Sequence, residues 1–128
     1  MIVEPSVMTR PWWEAVERRE LTRPVCDRCG RSFFSPQFAC SHCQSTAWRY
    51  VESGGTGVVY SHTTIWRAPT PEFDAPYVLS IVDLDGEGWH LLTRVVGCPP
   101  EDVTIGMPVK LTWDTVGDRT MPVFEPAG

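Results

Sequence analysis

From residue 57 onward the apolar positions fall into short runs bounded by Gly, Pro and Asp, the signature of β-strands. The clearest is Val109-Lys110-Leu111-Thr112-Trp113-Asp114, where strict alternation predicts Val109, Leu111 and Trp113 on an inner face. Four further runs accompany it, at 57–67, 77–84, 89–96 and 121–125. Asp85-Gly86-Glu87-Gly88 predicts a hairpin turn between 77–84 and 89–96, and Gly117-Asp118 turns the chain into the last run. A Pro-rich loop over 68–76 separates the first two runs, and 101–107 predicts a short turn of helix before the fourth.

Ahead of these strands the pattern differs. Trp12, Trp13 and Val16 recur at helical spacing before Leu21, with Thr9 placed to cap and Pro11 in the first turn. Two adjacent tryptophans have two readings. They pack back on this chain's own barrel, or Trp12, Trp13 and Val16 dock a partner protein. Three units follow: an arm and helix over 1–21, a cysteine-bearing ribbon over 22–46, and a barrel over 47–128. The fold class is mainly β. Five strands interrupted before the fourth predict a small closed barrel of the oligonucleotide/oligosaccharide-binding (OB) type, with an SH3-like barrel or small sandwich as rival. The glycines at 54, 55 and 57 precede no helix, so they predict a turn and not a dinucleotide fingerprint.

Four of five cysteines are grouped as Cys26-Asp27-Arg28-Cys29 and Cys40-Ser41-His42-Cys43. Two C-x-x-C pairs across a short loop suit tetrahedral Zn2+, each forming a tight knuckle that presents two sulfurs. Gly30 lets the first knuckle turn back so that backbone N–H groups face the thiolates, whereas Gln44 occupies the matching place in the second. Four thiolates leave no open position for water, so the zinc is structural. Disulfides or a dithiol redox centre are the alternatives, set against a reducing cytoplasm and the lack of a βαβ pattern. Cys98, in Gly97-Cys98-Pro99-Pro100, reads as a loop thiol, with nucleophilic catalysis as the alternative.

Composition adds bounds. The 128 residues are 42% hydrophobic and 21% charged, ordinary for one folded domain. No apolar run approaches a membrane span, and residues 1–10 lack a basic stretch leading into an apolar block; cytoplasmic localisation is the expectation. The net charge of −5 is uneven: residues 1–50 carry seven basic and five acidic groups, residues 51–128 four and eleven. That balance disfavours general nucleic-acid binding, which draws its affinity from a basic face. A single-strand binder stacking bases on Trp48, Tyr60, Trp66 or Trp89 is the competing class.

Catalytic groups are sparse. His62, His90, Asp83 and Ser80 lie on predicted strands and read as polar groups of the sheet surface, because no nucleophile elbow accompanies them. Glu101 with Asp102, and Asp83 with Asp85, read as solvated. Arg67 and Arg94 are two of four bases in the acidic half; they contact a phosphate or acidic group such as CoA at the barrel mouth, or form plain ion pairs.

Together these features resemble the domain-of-unknown-function family thirty-five, zinc-ribbon plus OB-fold proteins associated with acyl-CoA chemistry. The resemblance runs through Pro11-Trp12-Trp13-Glu14-Ala15, Cys26-Asp27-Arg28-Cys29-Gly30, Phe34-Ser35-Pro36, Cys40-Ser41-His42-Cys43 and residues 54–64. It continues through Ala75-Pro76-Tyr77-Val78, Leu92-Thr93-Arg94-Val95-Val96-Gly97-Cys98, Ile105-Gly106-Met107-Pro108-Val109 and Met121-Pro122-Val123-Phe124. It implies a rubredoxin-like ribbon and a subunit that is not an enzyme on its own but accompanies a thiolase-fold or lipid-transfer-protein-like partner. The resemblance further implies a retro-aldolase (lyase) that cleaves a β-hydroxyacyl-CoA side chain in steroid degradation, two copies of each chain forming a heterotetramer, with acyl-CoA at the shared interface. An acetyl-CoA acetyltransferase complex is the alternative setting, and neither involves nucleic acid or a membrane span.

Overall fold

The computed structural model describes residues 6–71 and 73–127. One helix and seven strands follow one another: α1 (Arg10–Glu17), β1 (Thr22–Cys26), β2 (Trp48–Glu52), β3 (Thr56–Ile65), β4 (Tyr77–Leu84), β5 (His90–Val95), β6 (Pro108–Val116) and β7 (Arg119–Pro126). A single 3-10 turn at Pro100–Asp102 supplies the short helical interruption.

Strands β1 and β2 pair antiparallel, from Thr22 opposite Glu52 to Cys26 opposite Trp48. The partner strand of β1 thus lies on the far side of both cysteine pairs, so residues 48–52 complete the two-stranded sheet of the ribbon. The other five strands close a barrel in the order β3-β4-β5-β7-β6, with β6 returning to β3. All neighbours are antiparallel except β5 and β7, which meet in parallel at Val95 and Phe124. That connectivity is the OB fold.

Alternation decides which side chains fill the barrel. On β4 Val78, Ser80, Val82 and Leu84 are buried, while Tyr77, Leu79, Ile81 and Asp83 are not. Ser80 thus departs from the surface position expected of it, and its hydroxyl is satisfied by donating to the Ser61 carbonyl at 2.9 Å. Val109 is buried, and the half-buried Leu111 and Trp113 pack on the same core, as the alternation on β6 predicts. Gly57 allows β3 and β4 to approach: a Cβ there would meet the Asp83 carbonyl and come within 2.9 Å of Val82 Cγ1.

Helix α1 closes one side of this core. Its buried face carries Trp12, Ala15 and Val16, and Pro11 lies in the first turn. Thr9 does occupy the N-cap position but does not cap: its hydroxyl accepts from the Ser6 backbone N–H at 2.9 Å. Trp12 Nε1 donates to the Thr22 carbonyl at 2.9 Å, and Tyr50 Oη donates to the Met8 carbonyl at 2.8 Å, fixing the helix to both ribbon strands. Aromatic rings continue the join, Trp12 against Phe34 at 5.8 Å and Phe34 against Trp89 at 5.1 Å. Helix and barrel share one core, against which Phe34 and Tyr50 of the ribbon side pack. Among the described residues no helix is long and apolar enough to cross a membrane.

Candidate metal centre and its surroundings

The two knuckles have matching geometry. Gly30 N–H donates to the Cys26 carbonyl at 3.0 Å, and Gln44 N–H donates to the Cys40 carbonyl at 2.8 Å. Both turns need a left-handed residue, taken by Gly30 at φ 75° and by Gln44 at φ 64°. Gln44 therefore adopts the conformation that glycine provides in the first knuckle. Backbone N–H groups point at sulfur in each: Arg28 and Cys29 donate to Cys26 Sγ at 3.3 and 3.4 Å, and His42 donates to Cys40 Sγ at 3.4 Å.

The four sulfurs of Cys26, Cys29, Cys40 and Cys43 all lie within 4.8 Å of one another. Cys26 and Cys43 are 3.5 Å apart, Cys29 and Cys40 3.7 Å. A tetrahedron with metal–sulfur bonds of ~2.3 Å has edges of roughly 3.8 Å, so this spacing fits Zn2+ and leaves the sulfurs unbonded to each other. Electrostatics agrees with the geometry. The Cys29 backbone N–H, helped by that of Arg28 and by neighbouring thiols, outweighs burial and brings Cys26 down to about 6. Cys29 responds in the opposite direction, rising to about 11: the Arg31 backbone N–H favours its thiolate, but burial and the three other sulfurs prevail. Without a cation the cluster cannot carry four negative charges; a divalent ion lets it do so. Bound there, zinc supplies rigidity to a ribbon whose own core is only Cys26, Phe33 and Cys40 with Cys43 and Trp48 against it. His42 stays outside the sulfur cluster, its Nε2–H donating to the Ser32 carbonyl at 3.1 Å.

The other sequence candidates separate. Trp12 is 6% exposed and Val16 0%, so in this chain both side chains pack into its own core, the first of the two readings of this helix. Trp13 remains half-exposed, beneath the Arg119 guanidinium at 5.9 Å. It borders an apolar groove with Pro36, Leu92 and Met121. The groove continues into a cavity of about 280 Å³ among Phe73, Tyr77, Leu79, Leu92, Arg94 and Pro122. Leu92, on the outer face of β5, is 64% exposed in the middle of this path. Sequence alternation placed Leu92 in a strand but could not show that its outward face meets other apolar groups.

Arg94 forms an ion pair with Asp114 at 2.8 Å and stacks over the Phe73 ring at 5.6 Å. Arg67 is exposed beyond the end of β3 and does not share that cavity lining. Cys98 is half-buried; burial, reinforced by Asp102 and Glu101, pushes its thiol up, the reverse of nucleophile activation. His90 Nε2 lies 3.7 Å from Asp83 Oδ1 and stacks on Tyr60, both groups outside the barrel. Of the four aromatics considered for base stacking, Trp89 is buried and Trp48 packs between Phe33 and Tyr50. Tyr60 and Trp66 are exposed.

One residue that sequence reading treated only as part of a turn is Glu87. Its carboxylate is largely buried and accepts from Ser53 Oγ at 2.8 Å, Gly54 N–H at 2.7 Å and Trp89 Nε1 at 2.8 Å. Arg23 Nη1 lies 3.5 Å away. Burial raises its pKa, but those three donors and the Arg23 charge outweigh it and hold the group below the ordinary carboxylate value.

Known proteins share this arrangement. Residues 13–49 match the family model for the ChsH2 rubredoxin-like zinc ribbon domain, and residues 50–114 that for the ChsH2 C-terminal OB-fold domain. A DUF35 domain-containing scaffold protein of Methanocaldococcus jannaschii is 33% identical over 111 residues, 85% of this chain and 78% of that one. A probable enoyl-CoA hydratase alpha subunit of Thermomonospora curvata is 42% identical over 117 residues, 91% of this chain but 36% of its own length. The chain likewise spans 42% of a Mycobacterium tuberculosis protein, the 3-oxo-4,17-pregnadiene-20-carboxyl-CoA hydratase alpha subunit, at 30% identity over 97% of this chain. Among solved structures, a chain of an Ltp2-ChsH2(DUF35) aldolase superposes with a TM-score of 0.90 at 38% identity, covering 99% of this chain and all of that one. With both domain models matched in order and the fold shared end to end, the chain belongs to the ChsH2-type DUF35 family of rubredoxin-like zinc ribbons joined to OB-fold barrels.

Proposed function

We propose that this chain is a non-catalytic accessory subunit that binds and stabilises a thiolase-fold, lipid-transfer-protein-like enzyme acting on acyl-CoA thioesters. The reaction assigned to the pair is retro-aldol cleavage of a β-hydroxyacyl-CoA side chain in steroid degradation. The observation carrying this reading is the end-to-end likeness to the DUF35 chain of the Ltp2-ChsH2(DUF35) aldolase. The hydratase alpha subunit of M. tuberculosis, whose name specifies a steroid-derived CoA ester, supports the same substrate class.

In that role the partner carries the bond-breaking groups and this chain supplies shape. Trp13, Leu92 and Met121 form the apolar wall that the thiolase-fold subunit covers, with Trp13 as the aromatic anchor. Arg94, held by Asp114, stands at the end of that wall where an acyl-CoA at the shared interface passes; Arg67 is the second cation assigned to it. Two copies of each subunit, arranged about the two-fold axis of a thiolase dimer, give a heterotetramer.

The test is co-expression. The thiolase-fold partner alone should be inactive or poorly soluble, and both chains together should form a stable complex that cleaves the β-hydroxyacyl-CoA to a ketone and a short acyl-CoA. Full activity of the partner by itself would contradict the reading. A second reading is an accessory subunit of an acetyl-CoA acetyltransferase complex; the archaeal relatives, named as scaffold proteins and matched over most of their length, fit an accessory role in either setting. Thiolytic turnover without aldol cleavage in the co-purified complex would select it.

A further inference from the structure

A continuous polar path links the second cysteine knuckle to the hairpin of the barrel. His42, whose backbone N–H serves Cys40 Sγ, donates through Nε2 to the carbonyl of Ser32. The buried Ser32 hydroxyl accepts from Arg23 Nε at 3.0 Å. Arg23 Nη1 donates to the Glu52 carbonyl at 2.6 Å and faces Glu87 across 3.5 Å. Glu87 in turn holds Ser53, the Gly54 amide and the Trp89 indole. Strand β1 supplies a parallel route, since Arg23 stands three residues before Cys26 on the same short strand.

We propose that Glu87 and Arg23 couple metal occupancy of the ribbon to the conformation of the β4–β5 hairpin. A carboxylate in a glycine-flanked turn would ordinarily be solvated; here it is largely enclosed and its charge is met by a cation from the other unit. Removing the metal frees the Cys40 knuckle, releases the His42–Ser32 contact, and loosens Ser32, so that Arg23 keeps the Glu52 carbonyl but loses the contact that aims it at Glu87. The Glu87 carboxylate then loses its buried counter-charge and the turn opens toward water. The coupling also shapes a surface. A cleft of about 230 Å³ between ribbon and barrel is lined by Ser32, His42, Trp89 and His90, so the same change alters its walls.

Hydrogen exchange on the full chain, zinc-loaded and chelator-stripped, tests the coupling. Stripping should accelerate exchange at Gly54 and across 85–89 by roughly tenfold, the effect of losing one charge-assisted hydrogen bond, while β6 and β7 stay protected. In Glu87→Gln the hairpin should exchange fast with zinc bound and show no further response to stripping, although the ribbon responds as in the parent chain. Should Glu87→Gln not fold, Ser32→Ala, which deletes a single hydroxyl, should at least halve the hairpin's response to zinc. The Trp89 indole N–H resonance should move on stripping in the parent chain only. A hairpin indifferent to zinc, a rise spread uniformly over β6 and β7, or an unaltered response in both variants would each overturn the coupling.

Discussion

The Arg94 guanidinium sits 2.8 Å from the Asp114 carboxylate, joining β5 to β6 across the edge of the apolar groove. Arg94 is mostly covered and Asp114 half-exposed, so water screens the pair. Arg94→Gln and Asp114→Asn should each cost less than ~1 kcal/mol in urea unfolding. Arg94→Gln should nevertheless weaken partner or acyl-CoA affinity by about tenfold if the cation stands at the interface. Unchanged affinity, measured by titration calorimetry, would leave Arg94 only its ion pair.

Metal analysis of the purified chain should find one zinc per molecule. Cys26→Ser with Cys29→Ser should abolish binding and unfold the ribbon, because structural zinc supplies roughly 10–16 kcal/mol of apparent binding energy at neutral pH. Retention of native circular dichroism without metal would contradict this.

Gln44 at φ 64° carries a side chain in a conformation that glycine adopts freely. Gln44→Gly should stabilise the zinc-loaded ribbon by about 0.5–1 kcal/mol, the strain relieved exceeding the added freedom of the unfolded chain. Competition with a zinc-binding dye reads this as slower metal loss.

The two tryptophans of α1 should behave differently. Trp12→Ala removes a buried ring and its bond to Thr22, at a cost of ~3–5 kcal/mol. Trp13→Ala should leave stability within about 1 kcal/mol yet weaken partner binding at least tenfold. Equal stability losses would show that Trp13 also serves only the interior.

Glu87 has a folded-state pKa below its ordinary value. Its contribution is therefore complete above the ordinary carboxylate pKa and is lost as pH falls through the lower, folded-state value. The stability difference between the parent chain and Glu87→Gln should be constant near neutrality and shrink as acid is added. Taking the difference cancels the acid release of zinc common to both. A gap that widens on acidification would refute the assignment.

The knuckles were legible in the sequence because their chemistry is local: four cysteines at fixed spacing need nothing distant to be recognised. Strand β4 was legible as an apolar run between turn residues, but its buried face was not: Leu79 and Ile81 look as apolar as Val78 and Val82, and Ser80 turned inward. The pairing of β1 with β2 was not legible either, because Trp48 meets Cys26 across both knuckles and no local pattern records that closure. Trp12 and Trp13 look alike in sequence, and only the placement of β7 and Phe34 separates the buried ring from the half-exposed one. Glu87 was missed for a related reason. In sequence it is an acid between two glycines; apart from Trp89 close by, its donors Ser53 and Gly54 and its counter-charge Arg23 all lie far upstream.

Strand β7 is last in the chain yet lies between β5 and β6, and Phe124 on it is fully enclosed. On the ribosome, the zinc-binding ribbon is complete once Glu52 has emerged, whereas the cylinder stays unsealed until β7 has been made. Maturation thus runs in two stages, with ion capture available early and sealing of the greasy interior deferred to the final strand.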